Sequence, residues 1–227
     1  MEPDISAIAS LIGETTRAQM LMALMSGKAL TATELATSAS ITSQTASSHL
    51  SKLVDGHLLV VRKQGRHKYF QLRGHEVAEL IEKLLTLSAA PNTSSIATGP
   101  SDPKLRESRV CYDHLAGEVA VSLYDALVRQ GYIADNSSET LITDSGKAFF
   151  TNMGADIAKI ENNKRPLCKS CLDWSERRNH LSGTLGQWIL EDLLSKGWAR
   201  RDLNSRMIHF SSNGKTLFNK KYGIASI

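Results

Sequence analysis

Apolar side chains recur at helical spacing in several stretches of the N-terminal part of the chain. Ile5, Ile8, Ala9, Leu11 and Ile12 mark one amphipathic helix over residues 4–12. A second is expected over 15–26, opened by Glu14 or Thr15 and closed by Gly27, with Met20, Met22 and Met25 as packing residues. Thr33–Ala39 reads as a short third helix, and Ser43–Asp55 as a fourth whose apolar face is Ala46, Leu50, Leu53 and Val54. The period then changes. Gly56–Leu72 is rich in Val, Leu, Tyr and Phe around Gln64-Gly65, which predicts two strands and a tight tip. Val77, Leu80, Ile81, Leu84 and Leu87 restore the helical spacing over 76–87.

The face of the fourth helix opposite its apolar stripe is made of small polar groups. Gln can bond adenine in the major groove, and Ser or Thr can serve a base or a phosphate. Thr42 or Ser43 at the N-cap leaves the first-turn N–H groups open to a phosphate. Charge strengthens this reading. Between residues 49 and 75 lie six basic residues, Lys52, Arg62, Lys63, Arg66, Lys68 and Arg73, against Asp55 alone, although the whole chain carries only +4. Two short helices joined by Ser40-Ile41-Thr42 and followed by a basic hairpin are a helix-turn-helix with a wing, whose charges suit a phosphate backbone. The candidate DNA-contacting residues are Ser43, Gln44, Thr45, Ser47, Ser48, His49 and Lys52 on the helix, and Arg62, Lys63, Arg66, His67, Lys68 and Tyr69 on the wing.

Five blocks in this order resemble the ArsR/SmtB family of winged-helix regulators: Thr16–Leu24, Glu34–Ala36, Ser43–Leu53, Gly56–Leu58 and Gly65–Leu72. The resemblance covers roughly residues 3–88. It implies a homodimer, formed through the first and last helices of the module, that holds double-stranded operator DNA and leaves it on sensing an inducer. Metal-sensing members carry Cys-x-Cys before the recognition helix, or acid and histidine ligands on the last helix. Here Ala36-Thr37-Ser38 and Arg73-Gly74-His75 stand at those places, so neither ligand set carries over.

Residues 89–104 hold three of the five prolines together with several Ser and Thr, and read as a linker between a 1–88 domain and a 105–227 domain. The second domain repeats itself. His114-Leu-Ala-Gly117 recurs as His180-Leu-Ser-Gly183, and seventeen residues after each His comes a glycine with an aromatic, Gly131-Tyr132 and Gly197-Trp198. A strand and a Gly-Lys helix start follow each, at Gly146-Lys147 and Gly214-Lys215. We therefore expect two winged-helix-like units, about 111–150 and 177–218, and a mainly α chain with small β-hairpins (α+β).

The same domain carries Cys111, Cys168 and Cys171, an odd count that does not make a disulfide framework. Cys111 and His114 are three apart, on one face if helical, and Cys168-Lys-Ser-Cys171 is a C-x-x-C pair with Lys164, Arg165 and Lys169 around it. With His180, these residues allow three readings: a site for a soft metal or metalloid ion, a redox switch through a Cys168–Cys171 disulfide, or packing residues. No phosphate loop, Gly-x-Ser-x-Gly or His-Glu-x-x-His motif appears, which argues against an enzyme. A small-molecule-processing or protein-interaction domain fused to the DNA-binding module is the reading from another class. No apolar run approaches the ~18 residues of a membrane span, and the acidic start Met-Glu-Pro-Asp is unlike a signal peptide, so the cytoplasm is the expected location.

Overall fold

The computed structural model describes residues 5–65, 67–88, 99–136, 139–161 and 165–224. The chain divides into two units, Met1–Leu85 and Thr86–Ile227.

The first unit begins with α1 (Ile5–Ile12) and α2 (Thr15–Leu24). The Glu14 carboxylate caps α2 by accepting the N–H groups of Thr16 and Arg17. Strand β1 (Leu30–Thr31) leads directly into α3 (Ala32–Ser38), where Thr31 and Glu34 form a reciprocal capping box. The turn to α4 (Ser43–Asp55) lacks glycine, and Ser40 takes the left-handed conformation itself, at φ 53°. Thr42 is the N-cap of α4. Strands β2 (Leu59–Gln64) and β3 (His67–Leu72) form the wing, and β1 joins them in the order β1-β3-β2. Helix α5 (His75–Ser88) closes the module. Met20, Leu21, Leu24, Met25, Leu35, Leu50 and Leu53 are fully buried and form its centre, each large apolar side chain stabilising by about 1.5–3 kcal/mol. That set comes from the inward faces of α2, α3 and α4 and the Met25 cap of α2, which leaves mainly polar groups outward on α4 and on the wing, where Val61 is the exposed apolar exception.

The second unit opens with α6 (Pro103–Glu107), capped by Asp102. The helix begins inside the stretch expected as a linker; of that stretch, 89–98 lie outside the described residues. Two runs of the same order follow. The first is β4 (Arg109–Cys111), β5 (His114–Ala116), α7 (Glu118–Arg129), β6 (Ile133–Asp135), β7 (Thr140–Ile142) and α8 (Asp144–Asn152). After α9 (Ile157–Glu161) comes the second: β8 (Lys169–Leu172), β9 (Asn179–Ser182), α10 (Gly183–Ser195), β10 (Ala199–Arg201), β11 (Ile208–Phe210) and α11 (Ser212–Tyr222). The pattern is hairpin, helix, hairpin, helix, and the runs span Arg109–Asn152 and Lys169–Tyr222, against about 111–150 and 177–218 expected from the motifs. The runs interlock: α7 packs on β9, α10 packs on β5, and β5 lies against β9. One continuous apolar core results, including Leu115, Leu123, Leu127 and Phe150 from the first run and Leu181, Leu185, Leu190 and Phe218 from the second.

The His-Leu-x-Gly motif marks the passage from hairpin to helix. Gly117 (φ 93°) and Gly183 (φ 82°) turn the chain in a conformation that L side chains rarely adopt. A Cβ on Gly117 would lie 2.5 Å from the Arg106 carbonyl, and one on Gly183 2.7 Å from that of Leu167.

Candidate nucleic-acid interface and candidate metal centre

On α4 the residues at Ser43, Gln44, Thr45, Ser47, Ser48 and Lys52 are all exposed, while Ala46, Leu50 and Leu53 are buried, as the 3.6-residue period requires. Two of the hydroxyls are engaged locally. Thr45 Oγ1 shares a 2.9 Å hydrogen bond with Thr42 Oγ1, and Ser47 Oγ donates to the Ser43 carbonyl at 2.9 Å. His49 differs from the rest of the set. It turns toward α2, with Nδ1 3.4 Å from Glu14 Oε2 and 3.5 Å from Arg17 Nη1. Arg17 in turn donates to the carbonyls of Ser10 and Leu11 at the end of α1. His49 thus ties α4 to the first two helices.

On the wing Arg62, Lys63, His67 and Lys68 are exposed and Tyr69 is half-buried; Arg66 lies outside the described residues. The register places Lys63 directly opposite Lys68, and Gln64 opposite His67. Like charges facing each other across a ladder are destabilising on their own. A phosphate between them would remove that cost.

In the second unit the hairpins bring four ligand-type side chains together. Cys111 pairs with His114 across β4 and β5, and Cys171 pairs with His180 across β8 and β9. Cys111 and His114 are therefore joined by the two-residue turn Tyr112-Asp113, with Tyr112 at φ 57°, and not by a helix turn as the spacing suggested. One ligand atom from each of Cys111, His114, Cys171 and His180 lies within 4.8 Å of the others. The imidazoles are 2 % and 1 % exposed, with their Nε2 atoms 3.1 Å apart.

Each imidazole has a carboxylate behind it. His114 Nδ1 is 3.1 Å from Asp113 Oδ1, and Arg165 holds the other Asp113 oxygen at 2.5 Å. His180 Nδ1 is 3.5 Å from Asp173 Oδ2, an ion-pair distance without good hydrogen-bond alignment. Asp173 is fully buried and takes Arg109 Nη2 at 2.5 Å and the Gly117 N–H at 2.8 Å. Burial pushes the Asp173 carboxyl up, but Arg109, His180 and the Gly117 N–H outweigh it and hold it well below the usual range. Asp113 is likewise held at about 2, the bonds to His114 and Arg165 overcoming burial. Burial acts against charge on His114, yet Asp113 and Cys171 raise it to about 9. The Cys171 thiol is drawn well below its ordinary value by its bond to Cys111, against burial, and by His180 and His114.

Cys168 is not in this group. It precedes β8 and belongs to the apolar core, where burial pushes its thiol up to about 12. Of the thiols proposed for a soft-ion or redox site, Cys111 and Cys171 come together and Cys168 does not join them, and all three are free cysteines. Sequence reasoning missed Asp113, Asp173 and Arg109, and set Arg165 beside the C-x-x-C pair, whereas it holds Asp113. The signal for them was the repeat: once His114 and His180 are superposed, the acid beside each can be sought in its hairpin.

Comparison with known proteins bears on the first unit and on the whole chain. A family model described as a helix-turn-helix domain matches residues 12–62. A Bacillus subtilis protein, the uncharacterized HTH-type transcriptional regulator YdfF, is 37% identical over 224 residues, covering 99% of each chain. Among solved structures, the homodimeric winged helix-turn-helix DNA-binding domain of Mb0332 from Mycobacterium bovis, a possible ArsR-family regulator, is 22% identical over 40% of this chain and 85% of its own, with a TM-score of 0.38. Reduced HlyU from Vibrio cholerae is 26% identical over 36% of this chain and 85% of its own, with a TM-score of 0.34. Among the described residues no helix is long and apolar enough to cross a membrane. The chain belongs to the HTH-type transcriptional regulators, and carries a further unit beyond its helix-turn-helix module.

Proposed function

We propose that the protein is a homodimeric repressor that reads its operator with α4, holds the flanking phosphates with the β2–β3 wing, and is released by an inducer sensed in the second unit. The observation that carries the DNA reading is the exposed row Gln44, Ser47, Ser48 and Lys52 on α4 beside the Lys63–Lys68 pair of the wing. Ser47 and Thr45 can exchange their local hydrogen bonds for bases or phosphates with no change of backbone. Gln44 is the group suited to adenine. Helix α5 leaves Leu80, Leu84 and Leu87 exposed, and Ile5 of α1 is exposed as well, which supports a second copy covering these helices. Two recognition helices related by a two-fold axis then enter successive major grooves about 34–36 Å apart on an imperfect palindrome. Since the first unit carries neither ligand set of its metal-sensing relatives, the second unit is the place for the inducer.

Binding to a selected operator, measured against salt and against single-base variants of the site, tests this. Gln44→Ala should lose about 1–3 kcal/mol at one base position and relax preference there. Lys63→Ala should weaken all sequences alike and flatten the salt slope by about one counterion. An unchanged sequence preference in Gln44→Ala would show that α4 is not the reading element.

A further inference from the structure

We infer that Cys111, His114, Cys171 and His180 form a closed four-coordinate site for one divalent zinc-class ion, which fastens the two halves of the second unit together. The assignment goes beyond operator binding and does not depend on it.

Distance speaks first. Two imidazole nitrogens on one tetrahedral zinc, each ~2.0 Å from the ion, stand ~3.3 Å apart. The two Nε2 atoms here are 3.1 Å apart, and all four ligand atoms lie within 4.8 Å of one another. Thiolates at ~2.3 Å would complete edges of ~3.5–3.8 Å, so the ion needs only small side-chain rotations.

The hydrogen bonding points the same way. His114 Nδ1 is hydrogen-bonded to Asp113, and His180 Nδ1 stands at ion-pair distance, 3.5 Å, from Asp173. With one proton kept on each Nδ1, both Nε2 atoms can ligate a cation that lies between them and takes the place of any proton there. A carboxylate behind each ligating histidine is also how metal sites orient their ligands. Charge closes around a divalent ion: the two thiolates balance it, while Arg165 and Arg109 balance the two carboxylates.

Donor type sets the class of ion. Two sulfurs and two nitrogens, with no oxygen in the first shell, exclude calcium and magnesium. A tetrahedral S2N2 set suits zinc, with cadmium or cobalt as substitutes. A two-iron cluster would put the histidine pair on one iron and the cysteine pair on the other. Here the four ligand atoms, all within 4.8 Å of one another, are too close for two metals between them. All four positions are filled by protein, so the ion has no open place for a substrate. Because each half donates one Cys and one His, only the assembled pair of halves makes the site.

The test is made on the full chain, purified under reductant without chelator. Native mass spectrometry should find one zinc per chain, and exchange for Co(II) should give the intense visible bands of a tetrahedral ion with thiolate charge transfer. Cys168→Ser should keep both the stoichiometry and the spectrum. Cys171→Ser should bind Co(II) more weakly by over about 100-fold, more than loss of an outer-shell partner costs. Should that variant fold poorly, His114→Cys and His180→Cys keep four donors, and each should retain the ion with a stronger charge-transfer band. A pale six-coordinate Co(II) spectrum, loss of the ion in Cys168→Ser, or unchanged affinity in Cys171→Ser would each overturn the assignment.

Discussion

Replacing Asp173 by asparagine barely changes its size but reverses the role of one of its atoms. The neighbours of this buried carboxylate are donors: Arg109 Nη2, Ser175 Oγ and the N–H groups of Ser175 and Glu176 on Oδ1, and the Gly117 N–H on Oδ2. An amide must turn its NH2 toward one of these sets, and Arg109, 1 % exposed, loses its counter-charge. Removing one partner of a buried ion pair costs about 3–5 kcal/mol, and a buried N–H left unpaired about 1–3 kcal/mol, so a loss of at least about 4 kcal/mol is expected. Against a domain stability of about 5–15 kcal/mol this is a large fraction. With a urea slope of about 1–3 kcal/mol per molar, the unfolding midpoint should fall by at least about 1 M. The assay is selective, because all three tryptophans, Trp174, Trp188 and Trp198, lie in the second unit, and the Arg109 guanidinium is 5.0 Å from the Trp174 ring centre. Indole fluorescence in urea therefore follows that unit, and a chelator in the buffer separates the ion pair from any metal effect. Asp173→Ala serves as the comparison and should lose at least as much as Asp173→Asn, since it removes both acceptor oxygens. A loss below about 1 kcal/mol for asparagine would refute the account of this carboxylate as an acceptor ringed by donors.

In chelator-treated native protein, Cys171 should alkylate first and Cys168 last, since burial pushes the Cys168 thiol up to about 12; mass mapping that finds the reverse order would count against the site as described. Glu14 is held at about 2 by the Arg17 and Thr16 N–H groups, against a usual value of 4.5. A carboxyl held below its unfolded value stabilises above that value, so this contribution should vanish as pH falls from 4.5 to about 2. Glu14→Gln should flatten that part of the acid profile of hydrogen exchange in α2, and an unaltered profile would show the cap to be inert. Leu84→Asp should weaken the dimer by at least about 100-fold, each copy losing about 1.5–3 kcal/mol of burial, which sedimentation equilibrium would read directly. A dimer of normal strength would place the contact elsewhere.

The first unit was legible because its signals are local. Apolar period gives α1, α2, α4 and α5 within a residue or two; the wing was expected to turn at Gln64-Gly65, but Gln64 still belongs to β2 and pairs with His67, so the tip falls later than the sequence suggested. What it could not show was the inward turn of His49, which depends on where Glu14 and Arg17 stand after α1 and α2 pack. The second unit was legible only as a repeat. The histidines superpose in sequence, but the cysteines do not: Cys111 precedes its histidine by a two-residue turn, whereas Cys171 precedes its own by the longer loop holding Asp173. Cross-strand pairing, invisible to spacing, makes the two positions equivalent. The C-x-x-C pattern misled for the same reason, since residues at either end of it went to a core and to a hairpin face.

The exchange of partners between the two runs has a consequence during synthesis. Strand β5 leaves the ribosome with its own helix α7, but the helix that covers it, α10, is still to be made, and His114 waits 66 residues for His180. The half-finished unit thus exposes the faces that will later interlock, and a second nascent chain on the same message offers an identical set. Pairing between two unfinished chains competes with completion of one, and the pace of translation through α9 and β8 decides which comes first.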